Sequence, residues 1–365
     1  MAHFYAVVTP GLEPVTAREL AAAGHPGPVG TVQPGGVAFE APLAEGAALA
    51  AALRSPARLL VEVVSGPARS LDELAALTRR GAWQDFLRPG EQVEIAASAR
   101  QSRLHFVDAV KKKVARAIFD TVGHPLQWAE PSQRVQIRLD RDQATISVDA
   151  GGELLHRRGW RLATAKAPLR ENLAAAMLLA AGWTSEEALV DPFCGAGTLP
   201  IEAARLARGL PPGVDRSYAF QSWPALGRPS TQPSTQPRAP SPGLPVRLPI
   251  LGSDRDAGAI RASTENAARA GVEVDWRRVD IRELLPPAPQ GLVVANPPYG
   301  ERVGGAEGGA AYTALGQLLR GPFAGWRALF LAPSETLARR VDRRVQAMTR
   351  FRNGGIPVGI WVLEP

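Results

Sequence analysis

A single cysteine, Cys194, stands in a chain of 365 residues. That scarcity excludes a disulfide framework and any zinc or iron–sulfur site built from several thiolates. The five histidines (His3, His25, His105, His124 and His156) are scattered without metal-ligand spacing, so no metal is expected. No apolar run reaches membrane-spanning length, and the opening "MAHFYAVVTP" lacks a basic stretch ahead of a long apolar core. The expectation is a cytoplasmic protein with no membrane partner. What is present is ordinary for a globular chain, at 45% hydrophobic and 21% charged, and long enough for two or three cores. Positive charge is in excess, with a net charge of +7 that favours a polyanionic partner.

Short strands and helices alternate through the first 152 residues. "HFYAVV", "GTVQPGGVAFE" and "RLLVEVVSG" read as strands, with helices "LEPVTARELAAAG" and "LAEGAALAAALRS" between them. A further unit follows from Ser70. It holds helix "SLDELAALTRRGAWQDFL", strand "EQVEIAASAR", helix "HFVDAVKKKVARAIFDTVG" and the strand pair "RVQIRLDRDQATISVDAGG". This is an α+β pattern. From about residue 167 the texture becomes strand–helix–strand: "LRENLAAAMLLAAGW", "ALVDPF", "TLPIEAARLARG", "PILGSD", "AGAIRASTENAARAG", "VDWRRVD" and "GLVVANPP". Regular alternation of this kind predicts a doubly wound parallel α/β sheet, which "ALFLA" and "NGGIPVGIWVLE" complete. The proline-dense "GRPSTQPSTQPRAPSPGLP" interrupts it as a solvated insertion.

The segment "ALVDPFCGAGTLPIEAA" ends a strand in Asp191, turns through Cys194, Gly195 and Gly197, and enters a helix at Thr198. Glycines admit a ligand close to the backbone, and a helix N-terminus offers N–H donors. Pro200 stands where the third glycine of a dinucleotide fingerprint belongs, and no Lys-Ser/Thr follows to make a P-loop. A carboxylate ahead of the glycines suits a cationic ligand end. The next strands end in Asp254, where a carboxylate can take two ribose hydroxyls, and Asp280, within reach of an adenine edge. Each aspartate alone reads as a helix cap or a turn residue. Three at successive strand ends, with the glycine turn, shift the balance towards a nucleoside-bearing ligand, and S-adenosylmethionine has the required parts: an ammonium and carboxylate, a ribose diol and an adenine.

"LVVANPPYGER" stops a buried strand dead at Asn296, Pro297, Pro298 and Tyr299, and a proline-stiffened turn is its plain reading. With "DPFCGAGTLPIEAA" and "GSDRDAGAIRASTENAARAGV", however, "NPPYGER" resembles the motifs of the class I amino-methyltransferases. The chain is more closely similar to the THUMP-containing RNA guanine-N2 methyltransferases. "HRRGWR", "APLRENLAAAML" and "RSYAFQSWP" are similar to further blocks of that family, and "VVTPGLEPVTARELAAAG" with "GGVAFEAP" resembles its N-terminal piece. The resemblance implies a ferredoxin-like domain over 1–62 and a THUMP RNA-binding domain over 63–152. A linker over 153–166 would lead to a Rossmann-like methyltransferase domain over 167–365, with an insertion at 221–249.

It also implies transfer of a methyl group to the N2 amine of a guanine. The large-subunit (23S) rRNA is the first choice of substrate and tRNA the second. Adenine N6 in nucleic acid and a protein glutamine are rival acceptors, because Asn-Pro-Pro-Tyr loops serve those reactions too; a protein that binds S-adenosylmethionine without catalysis is the non-enzyme alternative. An exocyclic amine is a poor nucleophile, and acceptors at Asn296 Oδ1 and the Pro297 carbonyl would offset the charge that grows on it. Tyr299 would stack on the extruded base. Cys194, in the cofactor turn, reads as a small buried hydrophobe, which argues against carbon methylation through a cysteine adduct. For RNA, the candidates are Lys111, Lys112, Lys113 and Arg116 on one helix, with Arg157, Arg158 and Arg161 farther on.

Overall fold

The computed structural model describes residues 1–24, 32–88, 91, 93–123, 133–162, 169–214, 216–227, 248–299, 305–353 and 355–365. Two compact units are built from the described parts of Met1–Val8, Leu20–Leu155 and Ser217–Gln236, and of Thr9–Glu19, His156–Arg216 and Pro237–Pro365.

The first unit runs β1 (Ala2–Val7), the end of α1 (Glu13–Ala22, of which Glu13–Glu19 belongs to the second unit), β2 (Val32–Gln33), β3 (Gly36–Ala41), α2 (Leu43–Ala52) and β4 (Arg58–Pro67). It continues with α3 (Leu71–Arg79), β5 (Val93–Arg100), α4 (Val107–Val122), β6 (Gln133–Asp140) and β7 (Gln143–Asp149). All seven strands form one sheet in the order β2-β3-β1-β4-β7-β6-β5. Among the described strands of this sheet, only the β5–β6 pair is parallel, and α4 lies on the crossover between them. Alternation in β6 buries Val135, Ile137 and Leu139, as its sequence pattern predicts.

Three expectations change here. The boundary at 62/63 falls inside β4, which pairs with β1 on one edge and β7 on the other. A strand has two hydrogen-bonding edges, so one strand serves both halves. The helix expected over 70–87 stops at Arg79. Gly81 packs against Trp83, where a Cβ would lie 2.9 Å from the indole Nε1, and that nitrogen donates to the Thr78 carbonyl at 2.7 Å. Residues 221–227, expected at the start of the insertion, are structured instead. Trp223 is fully buried, donates to Gln133 Oε1 at 2.7 Å and meets the Phe86 ring edge-on. Residues 228–247 lie outside the described residues.

The second unit contains α5 (Glu171–Ala180), β8 (Ala188–Asp191), α6 (Thr198–Ala207), β9 (Ile250–Asp254), α7 (Ala257–Arg269) and β10 (Asp275–Arg278). Then come β11 (Gly291–Ala295), α8 (Gly305–Arg320), β12 (Arg327–Ala332), α9 (Glu335–Val341), β13 (Gln346–Asn353) and β14 (Ile356–Leu363). Its sheet has the order β10-β9-β8-β11-β12-β14-β13, with β8 to β12 parallel and β14 antiparallel to both neighbours. β8 and β11 are buried throughout, which is why they read as unbroken apolar runs. Strand order reverses between β8 and β11, and the carboxyl ends at such a reversal frame a ligand crevice. Asp191 and Asn296 sit at those two ends.

Part of the expected linker is core. Trp160 is fully buried, and Arg158 (1% exposed) pairs with Glu202 at 3.4 Å. Lys166, its expected end, lies outside the described residues. No described helix is long and apolar enough to cross a membrane.

Candidate active site

The turn after β8 is held by its own backbone donors. Phe193 N–H donates to Asp191 Oδ1 at 3.0 Å, and Cys194 N–H to the Ser253 carbonyl at 2.9 Å. Asp254, at the end of β9, accepts Gly195 N–H on Oδ2 (3.1 Å) and Asp256 N–H on Oδ1 (2.9 Å). One carboxylate thus ties the glycine turn to the start of α7, while each oxygen keeps a second lone pair for a ligand hydroxyl. Gly197 takes φ +84, and a Cβ there would meet Trp276 at 2.7 Å and Ser263 at 2.9 Å. Neither the torsion nor the space admits a side chain. Asn266, fully buried, donates to the Ala196 carbonyl at 3.0 Å from α7. Asp280 accepts Arg282 N–H at 3.0 Å, which together with the Arg282 guanidinium holds its carboxyl below the usual range. Val279 N–H donates to the Asp254 carbonyl at 3.2 Å, so the Asp254 and Asp280 strand ends are neighbours.

Electrostatics separates these acids. Burial pushes the Asp191 carboxyl up to about 8, with the Phe193 N–H opposing and Asp254 adding to the rise. A buried acid of this kind is relieved by a cation placed against it. Burial likewise pushes the Cys194 thiol up, aided by both aspartates, which disfavours the thiolate form in this packed turn.

The loop after β11 differs. Asn296 is half-buried, yet its Oδ1 is inaccessible and accepts no hydrogen bond among the described residues. Pro297 is buried. Tyr299 is held at its hydroxyl by Asn353 Nδ2 at 3.0 Å, from the last residue of β13. Burial raises its phenol pKa. Gly300 to Arg302, the rest of the motif, lie outside the described residues.

The cationic candidates divide. Arg158 is buried against Glu202, and Arg161 (11% exposed) pairs with Glu171 at 3.0 Å while donating to Thr198 Oγ1 at 2.8 Å. Both were expected to meet RNA; both are internal struts. Charge is visible in a sequence, but a partner 44 positions away is not. Arg157 is exposed. On α4, Lys112 is exposed, Lys113 pairs with Asp72 at 2.7 Å, Lys111 approaches Asp108 at 3.7 Å and Arg116 pairs with Asp120 at 2.9 Å. Sequence reasoning also missed Trp276, Asn266 and Asn353, which act on the site from other strands and helices and carry no local signal.

The model of the RMKL-like methyltransferase domain matches residues 158–359, that of the THUMP domain 68–149, and that of the RlmL ferredoxin-like domain 3–60. The ribosomal RNA large subunit methyltransferase K/L of Syntrophotalea carbinolica is 34% identical over 97% of this chain, which covers 52% of that protein. This chain therefore spans about half the length of that relative. The protein slr0064 of Synechocystis, provisionally named an RNA methyltransferase, is 30% identical, with 97% of this chain and 94% of slr0064 covered. Among solved structures, SMU.472, a provisionally named methyltransferase complexed with SAH, superposes with a TM-score of 0.85 at 26% identity, covering 100% of this chain and 98% of that one. The match over more than half of its residues places the chain in the RMKL-like methyltransferase domain family, with RlmL-type ferredoxin-like and THUMP domains ahead of the catalytic fold.

Proposed function

We propose that this protein is an S-adenosylmethionine-dependent RNA methyltransferase that acts on the N2 amine of a guanine in 23S rRNA. The observation that carries the chemistry is the buried Asn296 Oδ1 with no partner among the described residues. A shielded acceptor left open is costly unless a ligand donor fills it. An exocyclic amine carries two N–H groups, and Asn296 Oδ1 and the Pro297 carbonyl would each take one. As the amine begins to bond to a methyl group it becomes more positive, so both contacts strengthen in the transition state. Tyr299, fixed by Asn353, offers its ring to the base.

The donor set fits the cofactor. Buried Asp191 suits its ammonium, Asp254 its ribose diol, and the Gly195–Gly197 turn a close backbone approach, with Thr198 opening α6 and Asp280 at the adenine end. When bound, S-adenosylmethionine supplies an electrophilic methyl group on a sulfonium. RNA is the substrate class favoured by the THUMP match and by the names of the relatives. Lys111, Lys112, Lys113 and Arg116 on α4 and the exposed Arg157 are the proposed phosphate contacts in these parts of the chain.

The test is incubation with labelled S-adenosylmethionine and separate pools of rRNA, tRNA, DNA and protein, followed by mass spectrometry of the nucleosides. N2-methylguanosine in large-subunit rRNA is the expected product. Label in tRNA alone would move the substrate, and label on adenine or glutamine would overturn the acceptor.

A further inference from the structure

A second dense run of positive charge lies outside every motif used so far. Between Glu335 and Arg352 stand six arginines (Arg339, Arg340, Arg343, Arg344, Arg350 and Arg352) against two acids. This surplus of four is more than half of the chain's net +7, held in 18 residues. All six arginines are exposed. They follow the last turn of α9, the connection after it and then β13, the edge strand of the second unit's sheet.

The two acids do not consume this charge. Glu335 is shared by Arg339 (2.7 Å) and Arg350 (3.4 Å), and Asp342 holds Arg344 (3.2 Å). Arg352 donates to the Gly355 carbonyl at 2.8 Å, which orients the guanidinium without neutralising it. Along β13, Phe351 is buried and Arg350 and Arg352 alternate with it on the solvent side, as a strand's two-residue period requires. The same strand ends in Asn353, whose amide holds Tyr299. Arg352 is thus one residue, and Arg350 three, from a direct hydrogen bond to the candidate base-stacking ring.

We propose that β13 and the turn before it form a second RNA-binding surface, on the catalytic unit, that grips phosphates of the strand flanking the target nucleotide. The inference rests on the proposed RNA substrate and adds where the backbone beside the target runs. Extruding a base separates its phosphate from its neighbours, and cations next to the stacking residue hold that distorted backbone. Guanidinium groups suit phosphate through paired, planar donors. The competing account is that charge on an edge strand merely blocks pairing with other chains.

The test is a filter-binding titration of a large-subunit rRNA transcript over a range of salt, with wild type and the double variant Arg343→Glu/Arg352→Glu. A milder Arg343→Gln/Arg352→Gln pair guards against misfolding, and thermal melting checks both. The expected result is at least about a tenfold loss of affinity for the reversed pair, a salt slope flatter by about two, and an intermediate loss for the Gln pair. S-adenosylmethionine affinity measured by calorimetry should be unchanged. Wild-type affinity and slope in both folded variants would overturn the surface while leaving the proposed function standing. A wild-type protein that neither binds nor methylates RNA would overturn both.

Discussion

The two loops at the sheet's reversal point are built on opposite plans. The turn after β8 has its polar groups tied down by protein partners: Asp254 accepts from Gly195 and Asp256, Asp191 from Phe193, and Asn266 donates to Ala196. The loop after β11 keeps a shielded acceptor, Asn296 Oδ1, for which no described residue provides a donor. A binding end gains from being rigid before the ligand arrives. A reacting end gains from an interaction completed only when the substrate is in place. Under the proposed function, the difference is that between a cofactor cradle and a catalytic contact.

Asn296→Ala breaks the contrast most severely. It should lower the single-turnover rate at saturating RNA about a hundredfold or more, with cofactor affinity unchanged in calorimetry. A fully active variant would reduce the loop to a turn. Asp254→Ala should do the reverse, weakening S-adenosylmethionine binding by about 1.5–3 kcal/mol, the range for hydrogen bonds to a charged group. Loss of rate without loss of affinity would remove Asp254 from the cradle.

Asp191 sharpens the same contrast through pH. Its carboxyl, raised to about 8 by burial, keeps its proton at neutral pH in the free protein, and a bound ammonium lowers that pKa. The attraction needs the carboxylate and is lost as pH falls below the raised value. Cofactor affinity should therefore climb, by at most about tenfold per pH unit, as pH rises towards 8, with proton release on binding. Asp191→Asn should flatten the profile; an unchanged profile would assign the ammonium elsewhere. The smallest effect belongs to Asn353→Ala. Losing one neutral hydrogen bond to Tyr299 should cost about 0.5–1.5 kcal/mol, read as weaker RNA capture. Tyr299→Phe should show a similar loss, and the double variant should add little to either.

Much of the catalytic unit was legible because its signals are local. β8 and β9 are short runs that end in Asp191 and Asp254, β11 is an apolar run followed at once by Asn296, and α6 begins after glycines that the turn's torsions require. β13, α8 and α9 went unread. β13 is an edge strand with a bulge between Ala347 and Thr349, which breaks the alternation that marks a strand. The buried positions of α9 are only Ala338 and Val341, too few to show a helical period.

The sequence by itself determined where ligand-facing groups could stand, since strand ends, glycine torsions and proline stops follow from a few adjacent residues. Only the tertiary structure decided what each group meets. Arg158 and Arg161 became struts because Glu202 and Glu171 are buried with them, whereas the arginines around β13 kept their charge in water. Tyr299 acquired its tether from Asn353, 54 positions away. Torsions are set by neighbours in the chain; burial and charge pairing are set by neighbours in space.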